Sequence, residues 1–178
     1  RVRLETRPPN TEGKGEVTQR ELVRNSLRMR PDRILVGEVR GAEVWDMLQA
    51  MNTGHEGSMT TIHSNSAHDA LARREMMSAM TGFDFPINVI RNYIASGIRI
   101  VVHMARLKGG PRKIVQICEI AGIEDGQYHL EDIFGFEQTS LDEHGVAIGN
   151  FYATGYRPEC LKRIAAYGRE LPDSMFDE

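Results

Sequence analysis

The feature that most constrains this chain is a pair of short apolar runs with a helix-patterned segment between them. The first run is Ile34-Leu35-Val36, the second spans Met59 to Ile62, and the segment from Ala42 to Asn52, closed by Gly54, lies between them. Brief apolar runs of this kind are what a parallel sheet buries on both faces. Helices flank the pair. Thr18, followed three residues later by Glu21, is a capping-box pattern. It starts a helix with Leu22, Val23, Ser26 and Leu27 on a narrow inner face, and Pro31 ends it. Ser66 and Asp69 cap another helix, which runs to Gly82. Ahead of these, an opening strand gives way to a loop marked by Pro8, Pro9, Asn10, Gly13 and Gly15. Strands alternating with helices predict an α/β fold on a parallel sheet.

The second half has a different rhythm. A helix from Pro86 to Ser96 precedes strand-like runs at Ile98 to Arg106, Lys113 to Ile120, Gln127 to Glu131 and Ile148 to Ala153. Gly109-Gly110-Pro111, Asp125-Gly126 and Asp142-Glu143-His144-Gly145 separate them, all turn-forming compositions. A small antiparallel meander is expected, then a terminal helix starting at Pro158 and ending near Gly168. A boundary near Phe83 divides the chain into residues 1–82 and 83–178.

Composition excludes several classes. With 178 residues, 40% apolar and 26% charged, the chain is globular rather than disordered. A net charge of -3 gives no overall footprint for nucleic acid or a membrane surface. The charge is uneven, however: the stretch up to Arg40 is rich in arginine and the segment after Glu131 is acidic. No stretch approaches the roughly 18 apolar residues that span a bilayer. Cys118 and Cys160 lie far apart with no metal-ligand spacing, which fits a reducing, intracellular compartment. The opening residues carry no initiator methionine or targeting pattern and are expected to lie inside a longer protein.

Chemistry-bearing residues gather at the ends of the two apolar runs. A strand that ends in an acid, as Ile34-Leu35-Val36-Gly37-Glu38 does, can place a carboxylate beside a nucleotide phosphate. There Glu38 would polarise water or hold a magnesium-bound water; the alternative is a solvated strand-end acid. If the second run is a parallel strand, His63 leaves it at the same sheet edge, with Ser64 and Asn65 as supporting donors. The alternative there is a capping cluster that satisfies backbone groups. Arg28 and Arg40 are candidates for phosphate or intersubunit contacts, while Arg30 and Arg33 flank a wet turn.

His55, Glu56 and His63 are zinc-ligand types, but their spacing is not H-E-x-x-H and a strand intervenes. No directly held metal is expected, and a hydrolase built on these three residues stands as a rival reading. Glu12-Gly13-Lys14-Gly15-Glu16 is not a phosphate loop: Pro8 occupies the first glycine position and Gly15 stands where Ser or Thr is required. Met76, Met77 and Met80 lie at helical spacing and read as core filler.

The segment from Leu27 through Arg33-Ile34-Leu35-Val36-Gly37-Glu38-Val39-Arg40-Gly41 resembles the Walker B region of the type II/type IV secretion superfamily ATPases. In that family a glycine often replaces the Walker B aspartate, as Gly37 does here, and the following Glu38 carries the function. Thr53-Gly54-His55 through Thr61-Ile62-His63-Ser64-Asn65 resembles its histidine box. The segments from Leu4 to Asn10 and from Phe134 to Arg157 are most similar to the CpaF branch, which serves Flp or tight-adherence pili.

The resemblance implies a RecA-like ATPase core over residues 1–82, with Glu38, His63 and His55 in catalytic roles. ATP is the implied substrate and magnesium the implied cofactor, reached from Glu38 through water. It further implies a homo-hexameric cytoplasmic motor, peripheral to the inner membrane through a platform protein, that powers pilus assembly or type II/IV secretion. The family's phosphate loop would precede Arg1, so activity is expected of a longer protein and not of these residues alone. The remaining alternative is a non-catalytic module whose sheet supports oligomer contacts.

Overall fold

In the computed structural model, which describes every residue except Thr81 and Phe83, the capping box forms as expected. The Thr18 hydroxyl accepts from the Glu21 amide at 3.2 Å, and the Glu21 carboxylate accepts from the Thr18 amide at 2.8 Å. Helix α1 (Gln19–Arg28) follows, with Val23 buried. Strand β1 (Leu35–Val36) pairs in parallel with β2 (Met59–Thr60), Leu35 opposite Met59 and Val36 opposite Thr60. Backbone bonds from Met59 N to Ile34 O (3.0 Å) and from Val39 N to Thr61 O (3.2 Å) extend the ladder beyond both ends. The crossover between them is α2 (Glu43–Asn52), as a parallel pair requires.

The chain groups into two units: Arg1–Ser64 with Ala70–Gly97, and Asn65–Asp69 with Ile98–Glu178. The boundary expected near Phe83 falls on a residue outside the described set. The helix that follows it, α4 (Ile87–Gly97), belongs to the first unit.

Helix α2 is the centre of the first unit. Val44, Met47, Leu48 and Ala50 are fully buried, joined by Val23, Ile34, Val39, Leu71, Ile90 and Ile94. Each large side chain removed from water in this way stabilises the unit by about 1.5–3 kcal/mol. Trp45 stacks between Phe85 (5.2 Å between ring centres) and Tyr93 (4.8 Å). At the far end of α2, Gly54 takes φ +98°, a left-handed conformation that glycine adopts without Cβ strain, and turns the chain toward β2.

Three expectations for this half are corrected. The opening segment is not a strand: residues 1–6 are exposed, and only Arg7 pairs, through a single antiparallel bridge to Val17. The hairpin between them is organised by Asn10, whose side-chain oxygen accepts from the Glu12 and Lys14 amides. The β1–β2 pair is not buried on both faces, since Leu35 and Met59, directly opposite each other, are each 58% exposed. Of the three methionines, only Met77 is core, with Met76 and Met80 more than half exposed. The inner stripe of α3 (Ala67–Ala79) is Ala70, Leu71, Arg74 and Met77, and 3.6-residue periodicity turns the other two away.

The second unit carries the expected meander, β3 (Ile100–Arg106), β4 (Arg112–Glu124), β5 (Gln127–Leu141) and β6 (Ala147–Ala153), in that spatial order and antiparallel throughout. Asp125 and Gly126 both take positive φ between the paired Glu124 and Gln127, the geometry of a two-residue hairpin turn. Strand β5 runs ten residues beyond its expected end at Glu131, because β6 supplies the pairing that its mixed local composition does not advertise. Helix α5 (Cys160–Ala166) is tied down by Glu119, a buried carboxylate on β4. Glu119 accepts from the Tyr156 hydroxyl at 2.8 Å and from the Glu159 and Cys160 amides. Burial and this bond push the Tyr156 phenol up to about 12.

Among the buried charged residues, Arg74 stands apart from Asp46 and Glu119, which have partners. Arg74 is 6% exposed on the inner stripe of α3, and its Nη1 is buried without a hydrogen-bond partner among the described residues. Desolvation pulls its guanidinium down to about 10. Replacing such a cation by an apolar chain of similar reach removes the desolvation cost. Arg74→Met is therefore expected to raise stability by about 1–3 kcal/mol in thermal or denaturant unfolding. A loss of stability would mean that the guanidinium has an ionic partner in solution.

Candidate functional site

Parallel pairing sets where the chain leaves the sheet. Glu38 lies two residues beyond β1, and His63 lies three beyond β2. The two ends are held side by side by Val39 N donating to Thr61 O and the Thr61 hydroxyl donating to Gly37 O. The outcome is a carboxylate and an imidazole at one edge, with Glu38 Oε1 3.4 Å from His63 Nε2. Arg40 closes the group, its Nη2 2.6 Å from Glu38 Oε2. A Cβ added at Gly37 would meet nothing within 4 Å, so local packing does not exclude a side chain there.

The backbone around this edge is held from several directions. The Gln19 side chain, at the start of α1, donates to the Glu38 carbonyl. Glu43, in the first turn of α2, accepts from the Arg40 amide at 2.7 Å and the Gly41 amide at 3.1 Å, which fixes the loop after Glu38. Beneath it, Asp46 of α2 is 5% exposed and accepts from Arg20 Nε at 2.7 Å and Arg24 Nε at 2.8 Å. That clamp locks α1, and with it Gln19, onto α2.

Charge at the edge is balanced toward the anion. The Arg40 hydrogen bond holds the Glu38 carboxyl below its ordinary range, against partial burial that works the other way; Arg40, His63 and Arg73 add positive charge. The same hydrogen bond raises the Arg40 guanidinium. Arg40 and His63 are largely open to water, at 77% and 85% side-chain exposure, so the cluster is accessible and contributes little to folding.

The structure thus brings together Glu38, Arg40 and His63. His55 lies at the other end of the strand pair, before β2. Its carbonyl accepts from the Ser58 hydroxyl, which in turn accepts from the Ile34 amide, and its ring Nδ1 is buried without a hydrogen-bond partner among the described residues. His55 and His63 do not converge, and among the described residues no three His, Cys, Asp or Glu side chains gather closely enough to hold a metal ion. Arg28 is exposed in the last turn of α1, with no side-chain bond among the described residues. Asn65 groups with the second unit. Lys14, in the loop that fails the phosphate-loop pattern, pairs with Glu12 at 3.4 Å.

The supporting residues Gln19, Glu43, Asp46 and Arg73 were not singled out in the sequence. Only Arg20 and Arg24, four apart on one face of α1, carried a local signal of a shared partner.

A family model described as Type II/IV secretion system protein matches residues 2–131. The chain is 46% identical over 123 residues to a putative conjugal transfer protein of Mycobacterium tuberculosis, covering 69% of this chain and 34% of that protein. It is 40% identical over 112 residues to the type IV secretion system protein PtlH of Bordetella pertussis, covering 60% and 33% respectively. The crystal structure of the VirB11 ATPase from the Brucella suis type IV secretion system, in complex with sulphate, is similar in fold. Its TM-score is 0.54 at 33% identity, over 57% of this chain and 31% of that one. The chain thus spans about a third of the length of the curated relatives it matches. No helix among the described residues is long and apolar enough to cross a membrane.

The pairing at the edge makes a direct prediction for titration. A carboxyl depressed by a cation recovers when the cation is removed. In Arg40→Ala, the Glu38 carboxyl resonance followed by carbon-detected NMR is expected to titrate at higher pH than in the wild type. An unmoved titration would mean that Arg40 does not hold Glu38 in solution.

Proposed function

The chain belongs to the Type II/IV secretion system protein family, and from that premise we propose that it forms the downstream part of an ATP-hydrolysing secretion or pilus-assembly motor. In this reading the phosphate loop lies upstream, and residues 1–82 complete a RecA-like core. The working form is a cytoplasmic homo-hexamer of the CpaF branch, docked on an inner-membrane platform protein. The observation that carries the reading is the convergence of Glu38 and His63, 3.4 Å apart at one edge of a parallel strand pair. Open α/β sheets bind their ligands at that edge.

Each residue then has a role set by its position. Glu38, kept ionised beside Arg40, orients and deprotonates the attacking water. His63, exposed at the neighbouring strand end, donates to the terminal phosphate and reports its presence to the turn that follows. Arg40 is the counter-ion of Glu38 until an anionic phosphate competes for it. His55 supports the sheet from its opposite end through its carbonyl. The lone carboxylate of the edge cluster suits magnesium, which holds few protein ligands: Glu38 would hold it through water. Bound there, magnesium would neutralise charge on the phosphates.

Glu38→Gln in the full-length protein keeps the shape of the side chain and removes its basicity. It is expected to retain ATP binding while turnover falls by about 10²-fold or more. Undiminished turnover in that variant would remove Glu38 from the mechanism; absence of any turnover in the full-length wild type would instead favour a non-catalytic assembly module.

A further inference from the structure

The edge cluster contains one cation that the roles above leave unused. Arg73 lies in the second turn of α3, and its guanidinium reaches back to donate from Nη1 to the His63 carbonyl at 3.0 Å. This bond ties α3 to the turn carrying the imidazole, alongside the Asp69 amide donating to the Ser66 hydroxyl. The rest of the Arg73 side chain is exposed, and its charge is among those acting on Glu38. Its neighbour Arg74 points the opposite way, into the core. Two consecutive arginines on one helix are therefore divided between the interior and the site.

We infer that Arg73 is a positioning residue for this site: it clamps the strand-to-helix turn through the His63 carbonyl and so fixes where the imidazole stands relative to Glu38. The inference rests on the ATPase reading of the edge. The geometry favours it over a stabilising surface contact for two reasons. A hydrogen bond from an exposed arginine to an exposed turn contributes little to folding, because water serves both groups nearly as well. The same bond has a large effect on position, since the His63 side chain is 85% exposed and its ring meets Glu38 at 3.4 Å among the described residues. Misplacing a reacting group by about 1 Å costs on the order of 10²-fold in rate. Arginine suits the task because its planar fork can hold a carbonyl with one N–H while other N–H groups face the ligand side.

The test uses the full-length protein and compares Arg73→Ala, Arg73→Lys and Glu38→Gln with the wild type. Steady-state ATP turnover, nucleotide affinity by fluorescence and thermal unfolding are measured on each. Arg73→Ala is expected to lower kcat by about 10²-fold while KM and nucleotide affinity change little and the melting temperature stays near the wild-type value. Arg73→Lys, which keeps a charged donor on a flexible stem, is expected to recover part of that loss. Wild-type kcat in Arg73→Ala, with Glu38→Gln inactive, would overturn the inference and leave the ATPase reading standing. Equal losses in both Arg73 variants that track a lowered melting temperature would reduce Arg73 to a structural contact and overturn it as well. Wild-type turnover in Glu38→Gln would remove the reading and this inference together.

Discussion

The register of a two-residue parallel ladder governs what the first unit presents to solvent. Leu35 opposite Met59 and Val36 opposite Thr60 bring the two strand ends level. Glu38 and His63 therefore emerge as neighbours although 25 positions separate them in the chain. So short a ladder cannot hold its own register, because a few backbone bonds do not offset the chain entropy they cost. The bonds that reinforce it lie outside the strands. Met59 N to Ile34 O and the Ser58 hydroxyl brace one end, and Val39 N to Thr61 O with the Thr61 hydroxyl brace the other.

Beneath this ladder the energetics divide sharply between buried and open charge. Asp46 is buried and meets two arginines, so that losing both would leave an uncompensated buried charge, which is strongly destabilising. It fixes α1 against α2 and brings Gln19 to the Glu38 carbonyl. The edge cluster of Glu38, Arg40 and His63 is wet by comparison and contributes little to folding. On the proposed reading, that division lets the edge ion pairs give way to phosphate contacts while the Asp46 clamp keeps α1 on α2.

Much of this was legible in the residues because the signals are local. Thr18 with Glu21, Gly54 after α2, Asp125-Gly126 in the hairpin and Asp142 in the next turn each impose one backbone geometry on their own neighbourhood. The strand-end acid and histidine were legible for the same reason, since position along a strand follows from period and punctuation. What the chain does not write locally is which strand or helix will be opposite. The length of β5 depends on β6, the failed opening strand on the lack of pairing beyond Arg7 among the described residues, and the exposure of Leu35 and Met59 on what packs against that face of the ladder. Asp46 and Arg73 escaped notice because their meaning lies in contacts with Arg20, Arg24 and the His63 carbonyl, which no spacing rule connects to them.

The central claim is that Glu38 and His63 act as one unit on one phosphate group. A double-mutant cycle on ATP turnover in the full-length protein, with Glu38→Gln, His63→Ala and the pair, tests it most directly. Groups that share one task are strongly non-additive. The expected result is that His63→Ala costs far less in the Glu38→Gln background than alone, a coupling well above the roughly 0.5 kcal/mol typical of independent sites. Additive losses would contradict the claim, and would mean that the two strand ends meet in the fold but not in the chemistry.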